Sequence, residues 1–373
     1  MVRQATTLGH DSAIVVLCLM TLHFYTQAYA DEVALTKPEK PVIELLSDPV
    51  DNHNTPTTNT SQEAITDFPE SYAPIGRSGD ELIGWASVPH CGAHGTTGGG
   101  DGATTVSVSN AQELTSALTS SGPKMIIVEG TITDVGNIKN VKDKTLIGRH
   151  GAKISGGIRF TSARNVIVKN IEFADGSNDT FELSSSECIW FDHNTFRDGR
   201  DGNLDIVRGS NYVTVSWSRF YYTEAHDHML SNLNGNTNNS SRDEGKIKVT
   251  FHHNWWGAGV QERMPRVRYG DTHIFNNYYK YEPIPGDFGQ NYVIGAGQHS
   301  RLLVQNNYFE GSNKPIIFVA DEGTAEIVHE GNKFVNTTGD IVQRGLSFIP
   351  QYGYVLDSAE DAAALIRSNA GPQ

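Results

Sequence analysis

Three arginines lie within six residues, Arg263-Met264-Pro265-Arg266-Val267-Arg268, in a chain whose formal net charge is −14. Cations gathered against that background mark a place for an anionic ligand. Guanidinium groups suit carboxylates in particular, because their planar fork donates to both oxygens at once. A second group is acidic: Asp201-Gly202-Asn203-Leu204-Asp205 sets a turn-favouring Gly-Asn pair between two aspartates, so that both carboxylates can converge. With Asp179 they make three hard oxygen donors without His or Cys among them, a set that suits Ca²⁺. Singly, each aspartate could equally bond local backbone at a turn. Packed together, the three repel one another unless a cation lies between them. Histidines gather at His226-Asp227-His228 and His252-His253. Neighbours in a strand point to opposite faces, so these pairs read as groove-lining or structural side chains rather than as a zinc site.

What could bring such distant residues together is a repeat. From Arg164 onward one phrase recurs: a short β-branched strand, polar residues often including Asn, then an aromatic. The aromatics are Phe173, Phe196, Phe220, Trp256, Tyr279, Phe309 and Phe334, spaced by 23, 24, 36, 23, 30 and 25 residues. A unit of about two dozen residues is too short for a propeller blade or a βαβ unit, and no helical period fits between the copies. Short strands recurring once per coil predict an all-β fold, a right-handed single-stranded parallel β-helix whose coils stack about 4.8 Å apart. An all-β sandwich is the alternative architecture. Counted from the closing aromatic, Asp179 falls at +6, Asp201 at +5, Asp205 at +9, Arg263 at +7, Arg268 at +12 and His226 to His228 at +6 to +8. Similar offsets place all of them on one flank. A solenoid must also cover its ends. Two helices are expected to do so, one over Ala111 to Leu118 capped by Asn110 or Ser109, and one over Ala359 to Arg367 capped by Ser358 with Gly371 past its end.

The chain divides further by composition. Residues 1–30 have the basic start, apolar run and small-residue close of a secretory signal, with cleavage after Ala30, which makes the protein secreted and extracellular. His23 and Gln27 cut the apolar run short of a membrane span. Residues 31–80 hold ten acids against three bases and read as an acidic, disordered linker carrying half of the net charge. Residues 81–373 remain for the β-helix domain, long enough for one core. No generally basic surface for nucleic acid is present, and the exported protein is expected to act as a monomer free of the membrane. Of three cysteines, Cys18 leaves with the signal. Cys91 and Cys188 could form a disulfide, or Cys188 could be a buried free thiol; spacing does not decide.

The phrases Ile189-Trp190-Phe191-Asp192-His193-Asn194, Asp201 to Ile206, Val213-Thr214-Val215-Ser216-Trp217 and Arg263 to Arg268 followed by His273-Ile274-Phe275-Asn276-Asn277 resemble the extracellular pectate lyases of polysaccharide lyase family 1. The likeness runs from Gly84 to the C-terminal helix and includes the Gly-Thr-Thr-Gly-Gly-Gly run at 95–100. It implies a parallel β-helix that cleaves de-esterified polygalacturonate, the backbone of pectin, by β-elimination with Ca²⁺. By motif position, Asp179, Asp201 and Asp205 are similar to the calcium ligands, Arg263 to the catalytic base and Arg268 to an arginine that grips substrate carboxylate. An arginine base needs its usual, very high pKa lowered. Ca²⁺, Arg266 or Arg268 and desolvation under substrate would act in that direction, so activity is expected to rise above neutral pH. In one place the chain departs from the family, which usually carries Lys after the Val-Ser-Trp strand. Here Asp227 aligns nearest, with His226 or His228 placed to bind substrate in its stead, or the register shifts locally.

Three other readings make different demands. A pectin lyase acts on esterified substrate, which lacks the charge that calcium would neutralise. A hydrolase needs a general acid and base, for which Asp192 and Asp198 are available. A non-catalytic polyuronide-binding β-helix would need neither Arg263 nor all three aspartates. Trp217, Trp255, Trp256, Tyr221 and Tyr222 could serve as sugar platforms or as core.

Overall fold

The structure is a computed structural model in which residues 81–100 and 102–373 are described. The expected signal at 1–30 and linker at 31–80 lie outside the described residues. Among the described residues the chain winds through three parallel sheets of ten, nine and eight strands. Each coil visits them in turn. The strand that opens the repeat phrase, such as Glu187–Asp192, joins the ten-stranded sheet. The closing aromatic, as in Thr195–Arg197, joins the nine-stranded sheet, and a third strand such as Leu204–Val207 joins the eight-stranded sheet. Register runs unbroken from coil to coil: Ile189 pairs with Val166 and Val213, Phe196 with Phe173 and Phe220, and Ile206 with Leu183 and Asn234. This is the parallel β-helix, and the sandwich alternative falls because its sheets would be antiparallel.

All seven repeat aromatics stack in one internal column. Ring centroids are 5.2 Å apart from Phe173 to Phe196 and from Phe196 to Phe220, then 4.9, 4.9, 4.6 and 5.0 Å through Trp256, Tyr279, Phe309 and Phe334. That spacing is the inter-strand distance, so residues in register must either stack or clash. Planar rings stack. At the corner between the ten- and nine-stranded sheets the phrase's asparagines form a second column. Asn254, Asn277 and Asn307 each donate their backbone N–H to the side-chain oxygen of the asparagine one coil on, every time at 2.9 Å. The carboxamide nitrogens of Asn277 and Asn307 donate to the carbonyls of Phe251 and Ile274 in the coil before. Buried corner backbone is thereby satisfied without water.

The front helix, Ala111–Thr119, behaves as expected. Asn110 accepts from the Glu113 N–H at 3.0 Å, and Leu114, Ala117 and Leu118 enter the main core. The rear helix corrects the expectation. Ala359–Asn369 is capped by Ser358 but does not close the end: its Ala362, Ala363 and Ile366 pack with Tyr278 on the flank, against Trp217, Trp255 and Tyr308. Small alanine side chains let the helix approach that row of large rings closely. Trp217 and Trp255 are consequently covered by the helix, and Trp256 and Tyr222 lie in the core. Cys91 and Cys188 form a disulfide, which ties the segment before the first strand to the ten-stranded sheet. No helix among the described residues is long and apolar enough to cross a membrane.

Candidate functional site

The residues singled out by their offsets share one corner of the solenoid, where each coil passes from the nine-stranded to the eight-stranded sheet. Asp179 stands between strands Glu172–Ala174 and Phe181–Ser184. Asp201 lies in the next loop and Asp205 in the strand Leu204–Val207 that ends it. His226 and His228 occupy the third loop, after Arg219–Tyr221. Arg263 is in the fourth, Arg266 opens the short strand Arg266–Val267, and Arg268 follows it. Backbone bonds hold neighbouring loops together: Asp201 N–H donates to the Asn178 carbonyl (3.0 Å), Asn203 N–H to Ser231 (2.8 Å) and Asn232 N–H to Arg263 (2.6 Å).

Two of the aspartates meet. Asp179 and Asp205 are both buried, and a Cβ placed on Gly202 would stand 3.0 Å from the Oδ1 atom of each. Gly202 therefore leaves a hollow between two carboxylate oxygens. Asp205 Oδ1 accepts the Leu233 N–H at 2.9 Å, and Asp179 Oδ2 accepts from Asn178 Nδ2 at 2.9 Å. Asp179 Oδ1 is buried without a hydrogen-bond partner. Leaving a carboxylate oxygen dry and unpaired is costly. Burial, followed by the charges of Asp201 and Glu182, pushes Asp179 up to about 7. Burial and then Asp179 push Asp205 well above the carboxylate range, against the Leu233 N–H and Arg263, which favour its charge. The third aspartate stays apart. Asp201 has a side chain 43% exposed, with Oδ1 at 3.6 Å from His228 Nδ1. Among the described residues no group of three or more His, Cys, Asp or Glu is gathered as a finished metal cage. Of the three carboxylates expected to converge, Asp179 and Asp205 stand together, while Asp201 stands at the rim.

The arginines lie together two coils beyond Asp205. Register places Arg266 opposite Leu233 and Asp205 opposite Glu182, on the outward row of the eight-stranded sheet. Arg263 has φ of 62°, the left-handed region that non-glycine residues enter only when their surroundings hold them there. Its carbonyl bond to Asn232 is such a hold. The Nε atoms of Arg263 and Arg266 are buried without a partner. Arg268 is the anchored member: Nε donates to Asn238 Oδ1 at 2.7 Å and Nη1 to the Asn236 carbonyl at 3.2 Å. Burial, then Arg266 and Arg263, bring it down to about 10.

Of the two histidines, His228 is the one beside the acidic group. His226 turns edge-on to the Tyr222 ring, with centroids 6.1 Å apart. Asp192 and Asp198, the pair a hydrolase would need, are both engaged. Asp192 is buried against Lys169, His193 and Ser216, and Asp198 accepts from the Thr223 N–H and hydroxyl while pairing with Arg197. Asp198 thus fastens two neighbouring site loops together. Tyr222 does similar work: its hydroxyl donates to the Leu230 carbonyl at 2.6 Å, with the Gly199 carbonyl at 3.1 Å. Sequence reasoning missed this positioning role for Tyr222, although a polar-tipped aromatic directly after a core strand is a usable signal for it. It also missed Glu182, buried between Arg159 and Arg208 beside Asp179.

Residues 78–373 match the family model described as pectate lyase. The chain is 31% identical to a pectate trisaccharide-lyase of Bacillus licheniformis, over 74% of this chain and 84% of that one. It is 34% identical to pectate lyase A of Emericella nidulans, over 77% and 85%. Among solved structures it is similar to a pectate lyase from Bacillus sp. N165 in complex with trigalacturonate, at 28% identity, with a TM-score of 0.66 over 78% of this chain and 98% of that one. The family model over residues 78–373 and relatives of this identity and coverage place the chain in the pectate lyase family, of the polysaccharide lyase family 1 type.

Proposed function

We propose that the protein is a secreted, calcium-dependent pectate lyase that cleaves de-esterified polygalacturonate by β-elimination. The observation that carries the calcium reading is the hollow at Gly202, where the unpartnered Oδ1 of buried Asp179 faces Oδ1 of Asp205. Hard, anionic and oxygen-only, that hollow fits Ca²⁺, with Asp201 as the third ligand from the rim. When bound, the ion neutralises a uronate carboxylate and so acidifies the proton at C5. Arg263 takes that proton, the C4–C5 double bond forms, and the C4–O bond breaks with the leaving oxygen taking a proton from solvent. Arg268 is held by Asn236 and Asn238 and presents its remaining N–H groups to a substrate carboxylate. His228, beside Asp201, supplies the contact for which the family uses lysine.

A pectin lyase has no use for paired buried carboxylates, since its ester substrate brings no charge for a cation to neutralise. The test is ultraviolet absorbance of the 4,5-unsaturated product from polygalacturonate and from methyl-esterified pectin, with calcium and with chelator. Absorbance from polygalacturonate that disappears with chelator is expected, and Arg263→Ala should abolish it while oligogalacturonate still binds. Product formed from esterified pectin irrespective of calcium would overturn the reading.

A further inference from the structure

One large apolar side chain at the site's corner is left in water. Phe288 is 80% exposed, in the coil after the one that carries Arg263 and in the same passage from the nine-stranded to the eight-stranded sheet, between Tyr278–Lys280 and Ile294–Ala296. Its loop is fixed. Asp287 accepts from the Ile284 N–H at 2.9 Å, the Gly289 N–H at 3.2 Å and the Tyr281 hydroxyl at 3.2 Å. Gly286 and Gly289, each at φ of 87°, make the turn on either side. The loop is also bound to its neighbours at the site. Asn291 donates to the Gln261 carbonyl (3.0 Å) and to Glu262 Oε1 (2.8 Å), next to Arg263, and a Cβ on Gly286 would reach 3.4 Å from Ala225 in the histidine loop.

An exposed phenylalanine gains nothing from folding, yet the backbone here is held in a conformation that presents it. We propose that Phe288 is a specificity-determining residue of the candidate site, a flat platform on which one galacturonate ring of the substrate stacks by its C–H face. This rests on the pectate lyase reading above. Coils stack about 4.8 Å apart, close to the length of one pyranose residue, so Phe288 receives the ring next to the one at Arg263, on the side away from the aspartates. The carboxylates of bound substrate are read by Arg268 and the calcium ligands. Phe288 supplies the contact that charge cannot, with the apolar face of the ring, and it makes that contact equally in ground and transition states.

Uniform binding of that kind appears in KM and leaves kcat alone. Phe288→Ala should raise KM for polygalacturonate and for long oligomers about three- to tenfold, the worth of a stacking contact, and should shift the product-length distribution. Phe288→Trp should restore both and Phe288→Leu, apolar but without a face, should restore neither. Because the side chain is exposed, unchanged thermal unfolding of all three variants is expected. Kinetics of Phe288→Ala indistinguishable from the parent, or full rescue by Leu, would overturn the platform while leaving the lyase intact. A parent that releases no unsaturated product overturns the lyase reading and the platform with it.

Discussion

Gly202→Ala should loosen calcium without unfolding the protein. Gly202 is outside the left-handed region, so an alanine meets no backbone penalty there, and the only atoms its methyl crowds at 3.0 Å are the two Oδ1 atoms of Asp179 and Asp205. Ordinary contact needs about 3.4 Å or more, so each carboxylate must retreat by about 0.4 Å. That displacement is large for a calcium ligand shell, whose bonds lie within about 2.3 to 2.6 Å. Disturbing what orients a metal ligand typically costs about 10- to 100-fold in affinity, and here both buried ligands move. The expected result is a calcium activation midpoint raised by that factor, with activity recovered at high calcium. The assay is initial rate against free calcium, paired with calorimetric titration of the metal alone, and urea unfolding in chelator as a fold control. A wild-type calcium midpoint in Gly202→Ala would refute the placement of the ion between these carboxylates.

Other outcomes follow from the same geometry. Asp179 has its folded-state pKa raised to about 7, so the stability it permits below about 4 is lost as pH climbs towards and through 7. Metal-free Asp179→Asn should therefore be more stable than the parent at pH 8, on the order of a few kcal/mol, and the gain should shrink by pH 5 in chelator-containing urea titrations. A parent whose chelated form is no weaker at pH 8 than at pH 5 would contradict this. Arg268→Lys should raise KM about tenfold at constant calcium, because an ammonium cannot both hold Asn236 and Asn238 and fork onto a carboxylate. Asn277→Ala should lower stability by about 2 to 4 kcal/mol in chemical denaturation, since the Asn254 N–H and the Phe251 carbonyl both lose their buried partner.

Much of the fold was legible because size and period coded it directly. The seven aromatics had to occupy one column, since stacked coils place equal positions one above another, and their offsets located the site corner for the same reason. Burial within that corner was not legible. Asp201, Asp205 and Asp179 look alike in sequence, yet Asp179 and Asp205 are buried and Asp201 stays at the rim. The rear helix was misplaced because an alanine-rich face reads the same over a solenoid end as over a row of flank aromatics. Cys91 and Cys188 are 97 residues apart in sequence, and only the return of the N-terminal segment onto the ten-stranded sheet brings them together. The role of Phe288 had no sequence signal, since an aromatic outside the phrase carries no phase.

The corner joins two like-charged groups, each unfavourable alone. Burial and then neighbouring carboxylates take Asp179 up to about 7, and burial and then neighbouring guanidinium groups take Arg268 down to about 10. A free-standing loop would relax such repulsion by moving apart. These loops cannot, because both ends of each are strands whose neighbours above and below are fixed by the ring column and the asparagine ladder. A solenoid distributes that load, since every coil is braced by two others. On the function proposed above, a cation among the aspartates and uronate carboxylates at the arginines would relieve that repulsion. An acidic group and a basic group set a few coils apart match a polymer that carries one carboxylate per sugar, and a neutral polysaccharide would leave both groups unpaired.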